Sequence, residues 1–191
     1  DYFSNTHVER TGKMYITADI ARKGRDKTII RVWDGLVCIY RKELKVSLVT
    51  ESAELIKSLQ VKFKVALSNV IVDEDGVGGG VVDILNCNGF VNNSKALYGE
   101  NYNNLKSQCS FGMAKLICQK EVGEICESED IMQTVREEME QCKEANIEKD
   151  GKKTIISKDI VKEKLGRSPD EWDSIMMRFW FELNNSEFYF N

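Results

Sequence analysis

The chain has 191 residues, 42% of them hydrophobic and 30% charged, and its 27 Lys and Arg against 31 Asp and Glu give a formal net charge of −4. That apolar share excludes a disordered chain and the length suits one large domain. The mild acidity excludes a uniformly basic nucleic-acid coat while leaving room for a local basic groove. No run of about 18 apolar residues is present, so no spanning helix is expected, and residues 1–6 lack the basic-then-apolar order of a secretory leader. The six cysteines (Cys38, Cys87, Cys109, Cys118, Cys126 and Cys142) show no C-x-x-C spacing and have only His7 to join them, which argues against zinc. Cys38 and Cys118 sit among apolar neighbours, as reduced cysteines do, and point to a reducing compartment.

In chain order, residues 1–12 read as an irregular lead-in and residues 13–191 as one domain. Apolar β-prone runs at 14–20, 28–33 and 36–40 predict three antiparallel strands, with Asp34-Gly35 as the hairpin turn between the last two. Ala53, Ile56, Leu59 and Phe63 fall at helical spacing over 51–63, and the β-branched run Val70-Ile71-Val72 then predicts a strand ending at Asp73. A glycine run, residues 76–80, leads into a short helix over 81–85, and Gly89-Phe90-Val91 is long enough for one more strand. Further on, Leu105, Cys109, Met113 and Leu116 predict a helix over 104–118; Met132, Val135, Met139 and Cys142 predict another over 131–145. Residues 146–153 read as a solvated turn. Ser168-Pro169-Asp170-Glu171 has the form of a capping box, starting a last helix whose apolar face is Trp172, Ile175, Met176, Phe179 and Leu183. The first seven elements, in the order β-β-β-α-β-α-β, are those of an α/β, ribonuclease-H-like domain: a mixed five-stranded sheet flanked by helices, with a helical C-terminal part.

Three acids stand at the ends of predicted elements: Asp19 on the first strand, Asp73 at the end of the fourth, and Asp170 in the first turn of the last helix. In a mixed sheet the first and fourth strands can be neighbours, which would bring Asp19 and Asp73 side by side. Carboxylates so placed repel unless a cation lies between them, and hard ions such as Mg²⁺ or Mn²⁺ prefer all-oxygen ligands. Each acid also has a plain structural reading: Asp19 satisfied by a hydrogen bond, Asp73 and Asp75 opening a turn, Asp170 favoured by a helix dipole. The glycine run is not a phosphate loop, because no G-x-x-x-x-G-K-[ST] occurs.

Three segments together carry a resemblance. They are the stretch from Tyr15 to Thr28 around Ala18-Asp19-Ile20-Ala21-Arg22-Lys23-Gly24-Arg25-Asp26-Lys27, the run Val72-Asp73-Glu74-Asp75-Gly76-Val77-Gly78-Gly79-Gly80-Val81-Val82-Asp83, and Leu165-Gly166-Arg167-Ser168-Pro169-Asp170-Glu171-Trp172-Asp173. Over residues 13–183, in this order, they resemble the nuclease domain of the phage terminase large subunit. The resemblance implies a metal-dependent endonuclease that cuts double-stranded viral DNA concatemers during packaging by two-metal-ion hydrolysis. Asp19, Asp73 and Asp170 would be the acids of its three motifs and would hold two Mg²⁺ or Mn²⁺ ions. Asp75 is an alternative to Asp73, since strand alternation puts both on one face, and Asp173, one turn after Asp170, would bind metal instead or in addition.

Arg22, Lys23, Arg25 and Lys27 surround the first motif and are candidate phosphate contacts; so is Lys106, in a segment that resembles one of the family's. Lys152, Lys153, Lys158 and Lys162 approach the third motif. The family's ATPase motor, with its phosphate loop, is not in this sequence, so the chain reads as a C-terminal nuclease domain. Its expected partners are double-stranded DNA, the motor domain, the portal and the small terminase subunit, with no membrane, in the cytoplasm of the bacterial host. The rival readings are a catalytically silent DNA-binding or capsid-docking module, and a nuclease like the junction resolvases.

Overall fold

Period-two alternation decides which face of the sheet each side chain meets. In the computed structural model, which describes residues 2–21, 26–45, 47–145 and 151–184, β1 (Met14–Asp19) pairs antiparallel with β2 (Thr28–Asp34), which pairs antiparallel with β3 (Val37–Leu44). Gly35, at φ +62°, closes the β2–β3 hairpin as the Asp34-Gly35 signal predicts. α1 (Val49–Phe63) carries the chain to β4 (Val70–Asp73), which lies parallel to β1. α2 (Gly78–Leu85) then leads to β5 (Asn88–Phe90), parallel to β4.

The sheet has six strands, in the order β5-β4-β1-β2-β3-β6, and not the five expected. The sixth, β6 (Gly123–Glu124), pairs parallel with β3 after α3 (Leu105–Cys118). Two residues without an apolar run carry no strand signal. The N-terminal segment also departs from an irregular lead-in: residues 2–4 form a 3₁₀ turn with Tyr2 buried, and the Asn5 amide donates to the Val122 carbonyl at 2.8 Å.

Two cores lie on opposite faces. Ile16, Ala18, Ile30, Val32, Val70 and Val72 face α1 and α2, burying Ala53, Ile56 and Leu59. On the other face, Tyr15, Trp33 and Ile71 meet α3, α4 (Glu129–Glu140), α6 (Asp170–Met176) and α7 (Phe179–Asn184). By the same alternation Thr17 and Asp19 share a side with Tyr15, and Asp73 shares one with Ile71. The two acids therefore project onto the helical C-terminal side. Two minor strands, β7 (Glu144–Ala145) and β8 (Thr154–Ile155), form a separate antiparallel pair before α5 (Lys158–Leu165).

Three expected helix features differ. The helix expected over 131–145 starts two residues earlier, behind a Ser128 cap, and ends at Glu140. The expected last helix is two: the chain breaks after Met176, and the intervening Arg178 is buried, its guanidinium donating to the Gly35 carbonyl at 2.7 and 3.0 Å and to Glu182 at 2.7 Å. The capping box does not form either. Pro169 is the cap residue of α6, no side chain bonds there, and Glu171 turns instead to Arg31 and Arg41. Part of the turn expected over 146–153, residues 146–150, lies outside the described residues.

Candidate active site

Parallel pairing sets the site. Ile16, Thr17 and Ala18 lie opposite Val70, Ile71 and Val72, so the next residue on each strand, Asp19 and Asp73, brings a carboxylate to the same end of the sheet. α6 crosses this end and contacts β1 and β2, adding Asp170 and Asp173. All four acids are buried, between 1% and 8% exposed. Gly78 fixes the approach of α2 to the tip of β4, because a Cβ there would stand 1.6 Å from the Asp73 carbonyl oxygen. Close packing thus accounts for this glycine without any phosphate.

The partners of the four acids differ. No described residue donates a hydrogen bond to the Asp19 carboxylate. Asp73 accepts from the Asp75 backbone N–H at 3.0 Å and from the Asn92 amide at 3.1 and 3.2 Å. Asp170 accepts from the Lys27 backbone N–H at 2.7 Å. Asp173 is held by two ammonium groups, Lys106 Nζ at 2.6 Å and Lys158 Nζ at 2.7 Å.

Electrostatics follows these partners. Burial pushes the Asp19 carboxyl well above its usual range; Lys158 opposes this, while Asp173, Asp73 and Asp170 reinforce it. Burial likewise raises Asp73, against the Asp75 amide, with Asp173 pushing the same way. Burial raises Asp170 despite the Lys27 amide and Lys158. For Asp173 burial is overcome by Lys106 and Lys158, which hold it below the usual carboxylate range.

Asp19, Asp73, Asp75 and Asp170 line one open cavity of about 890 Å³, with Lys106 and Lys158 on its wall. Asp173 is absent from that lining and sits behind the two lysines. The strand pair β7–β8 supplies Ala145, Thr154 and Ile155 to another side, and Asn103 and Asn104 a third. Asn104 also caps α3 through the Ser107 N–H at 2.9 Å. Among the described residues no three His, Cys, Asp or Glu side chains are drawn together as a finished ligand set. What the cavity does present is carboxylate oxygen at Asp19 and a buried Oδ1 at Asn92, neither of which receives a hydrogen bond from a described residue. This all-oxygen, net-negative donor set fits hard divalent cations and no soft metal.

The expected phosphate contacts divide. Arg22, Lys23 and Arg25 lie outside the described residues. Lys27 forms an ion pair with Glu43 at 3.0 Å, and Lys106 is engaged by Asp173. Asp26 lines the cavity and meets Lys162 at 3.0 Å.

Sequence reasoning missed Asn92, whose polar loop shows no distinguishing pattern, and Arg31. Arg31 did leave a signal, a lone cation in the apolar run Ile29-Ile30-Arg31-Val32-Trp33. It is fully buried, bonded to Glu171 at 2.7 Å and Glu124 at 3.2 Å, and so ties α6 to β2 and β6.

The chain matches no protein-family model and no curated protein sequence. Among solved structures it is similar to the nuclease domain of the large terminase subunit gp2 of bacterial virus Sf6, with 19% identity, a TM-score of 0.77, and coverage of 93% of this chain and 93% of that one. A mutant of that domain solved with manganese and beta-thujaplicinol gives 18% identity, a TM-score of 0.77, and coverage of 91% and 90%. The large terminase nuclease of thermophilic phage G20c with bound magnesium gives 15%, 0.59, and coverage of 88% and 80%. At these identities the likeness is one of architecture: the chain has the ribonuclease-H-like fold of phage large-terminase nuclease domains.

Proposed function

We propose that the chain is a metal-dependent endonuclease of double-stranded DNA, acting on concatemers during phage genome packaging. The observation that carries this reading is the pairing of Asp19 and Asp73 at adjacent strand ends, buried, with no described residue donating a hydrogen bond to Asp19, in a cavity that Asp170 also lines. Neighbours of the same fold were solved with manganese and with magnesium. On this reading Asp19, Asp73 and Asp170 hold two Mg²⁺ or Mn²⁺ ions, with Asp75 and Asp173 as the alternative acids. Divalent ions bound there supply a nucleophile at neutral pH and neutralise charge on the phosphodiester.

The chain's own groups do the rest. Asp73 is held in place by the Asp75 amide and Asn92, and Asp170 by the Lys27 amide. Lys106 and Lys158 neutralise Asp173, so the net negative charge on the cavity wall stays with the other acids. Arg22, Lys23 and Arg25, on the segment beyond β1, are the groups we assign to the DNA backbone, with Lys27 and Lys106 engaged by Glu43 and Asp173. In the whole packaging machine the portal, the small terminase subunit and an ATPase motor would be its partners, in the cytoplasm of the bacterial host.

The test is plasmid nicking with Mn²⁺, Mg²⁺ or chelator, on the parent and on Asp19→Asn and Asp73→Asn. Metal-dependent nicking that both substitutions abolish, with the fold intact by circular dichroism, is the expected result. Nicking that persists in both variants would refute the assignment, and a strong preference for a four-way junction over linear duplex would move the reading to a resolvase.

A further inference from the structure

We infer that Asn92 is a positioning residue for the cation-binding acids, an inference that rests on the function proposed above. Its side-chain amide stands 3.1 and 3.2 Å from the two oxygens of Asp73 and 2.7 Å from Asp75 Oδ2. Its backbone N–H donates to the same Asp75 oxygen at 3.1 Å, and the Asp75 N–H donates to Asp73 Oδ1 at 3.0 Å. The three residues close a ring in which one neutral amide bridges two carboxylates. Asn92 is itself anchored: its carbonyl accepts from the Lys106 N–H at 3.1 Å, and two residues on, the Ser94 carbonyl accepts from the Leu105 N–H at 2.8 Å. The donor is therefore fixed to the first turn of α3 and does not depend on a long, freely rotating side chain.

The chemistry of the donor matters as much as its position. An amide offers N–H groups without charge, so it orients a carboxylate and leaves the negative charge available to a cation. Behind the cavity wall Asp173 shows the opposite arrangement, in which two lysines orient the carboxylate and also neutralise it. A lysine at position 92 would compete with a metal for Asp73; an asparagine prepares Asp73 for one. Partners of this kind typically change metal affinity 10- to 100-fold when removed.

The experiment is titration of the full chain with Mn²⁺, reading free Mn²⁺ by electron paramagnetic resonance, for the parent, Asn92→Ala, Asn92→Ser and Asp73→Asn. Each is checked for fold by circular dichroism. Asn92→Ala is expected to bind Mn²⁺ about 10- to 100-fold more weakly, and saturating Mn²⁺ is expected to restore its plasmid nicking. Asn92→Ser keeps a small polar side chain too short to bridge both acids, and carries the same expectation should alanine unfold the loop. Unchanged Mn²⁺ affinity in the folded Asn92 variants, with binding lost in Asp73→Asn, would overturn this inference and leave the proposed function standing. Nicking that saturating Mn²⁺ fails to restore would also overturn it, placing Asn92 on the substrate. A parent that binds no Mn²⁺ would remove both.

Discussion

Asp19 is the residue whose burial is hardest to account for by stability alone. It is 7% exposed and no described residue donates to its carboxylate. Its folded-state carboxyl is raised well above 3.8, so the folded protein holds this proton more tightly than the unfolded chain. The contribution of Asp19 to stability therefore declines as pH rises from the unfolded value through the folded one. Asp19→Asn is accordingly expected to raise the melting temperature of the metal-free protein at neutral pH, the gain vanishing in acid, while losing the upward shift that Mn²⁺ gives the parent. Paired calorimetric scans check both halves, and a variant less stable than the metal-free parent would mean that Asp19 is a structural acid. Asp19 and Asp73 were legible in the sequence because each lies at or next to the end of an apolar run, where alternation fixes the face. Asp170 and Asp173 were not separable, because residues three apart on a helix share a face; only the lysines that engage Asp173 distinguish them. Asn92 was illegible because its role depends on a loop path that no local pattern encodes.

Among the elements, α6 is positioned by buried charge and not by its cap. Burial would raise the Glu171 carboxyl, but Arg31 and Arg41 hold it at about 2, against 4.5 unperturbed. A depressed carboxyl contributes stability above its unfolded pKa, and that contribution is lost as pH falls from 4.5 towards 2. Glu171→Gln should cost about 3 kcal/mol at neutral pH by removing the carboxylate that Arg31 and Arg41 share, leaving two buried or half-buried guanidinium groups with one acid each, Glu124 and Glu43. Urea unfolding at neutral pH and at about pH 3 should show the difference between parent and variant narrowing in acid. At the β4–α2 junction, Gly78→Ala places a methyl group onto the Asp73 carbonyl and should destabilise by about 1–3 kcal/mol, with weakened Mn²⁺ binding as the strand tip shifts. Equal stability and equal Mn²⁺ affinity would show that α2 does not constrain Asp73. The same junction shows the reach of the sequence at this scale. Strand and helix order was readable from periodicity except at α5, which was not predicted, and at β6, β7 and β8, which are two residues each and too short to show a period. The break after Met176 depends on Arg178 reaching a hairpin turn 143 residues away in sequence.

For the whole molecule, the proposed function asks a chain of net charge −4 to hold a polyanion. Of the expected contacts, Lys27 and Lys106 are in ion pairs with Glu43 and Asp173, and the electrostatic contribution is the one we assign to Arg22, Lys23 and Arg25. DNA affinity is expected to fall steeply with salt, and the double variant Arg22→Ala/Arg25→Ala to reduce the log–log salt slope by about 2 while leaving Mn²⁺ affinity unchanged. The layered architecture was readable because its signals are local: a hairpin turn, apolar strands and amphipathic helices. Which lysines are engaged in ion pairs was not, since ion pairing joins residues far apart in the chain. The central claim, that buried acids from β1, β4 and α6 share divalent cations, is tested most directly by anomalous scattering from crystals soaked in Mn²⁺. The account predicts two Mn²⁺ peaks in the cavity, ligated by Asp19 and Asp73 together with an acid of α6. A map with no manganese at Asp19, or with manganese only elsewhere on the surface, would contradict it.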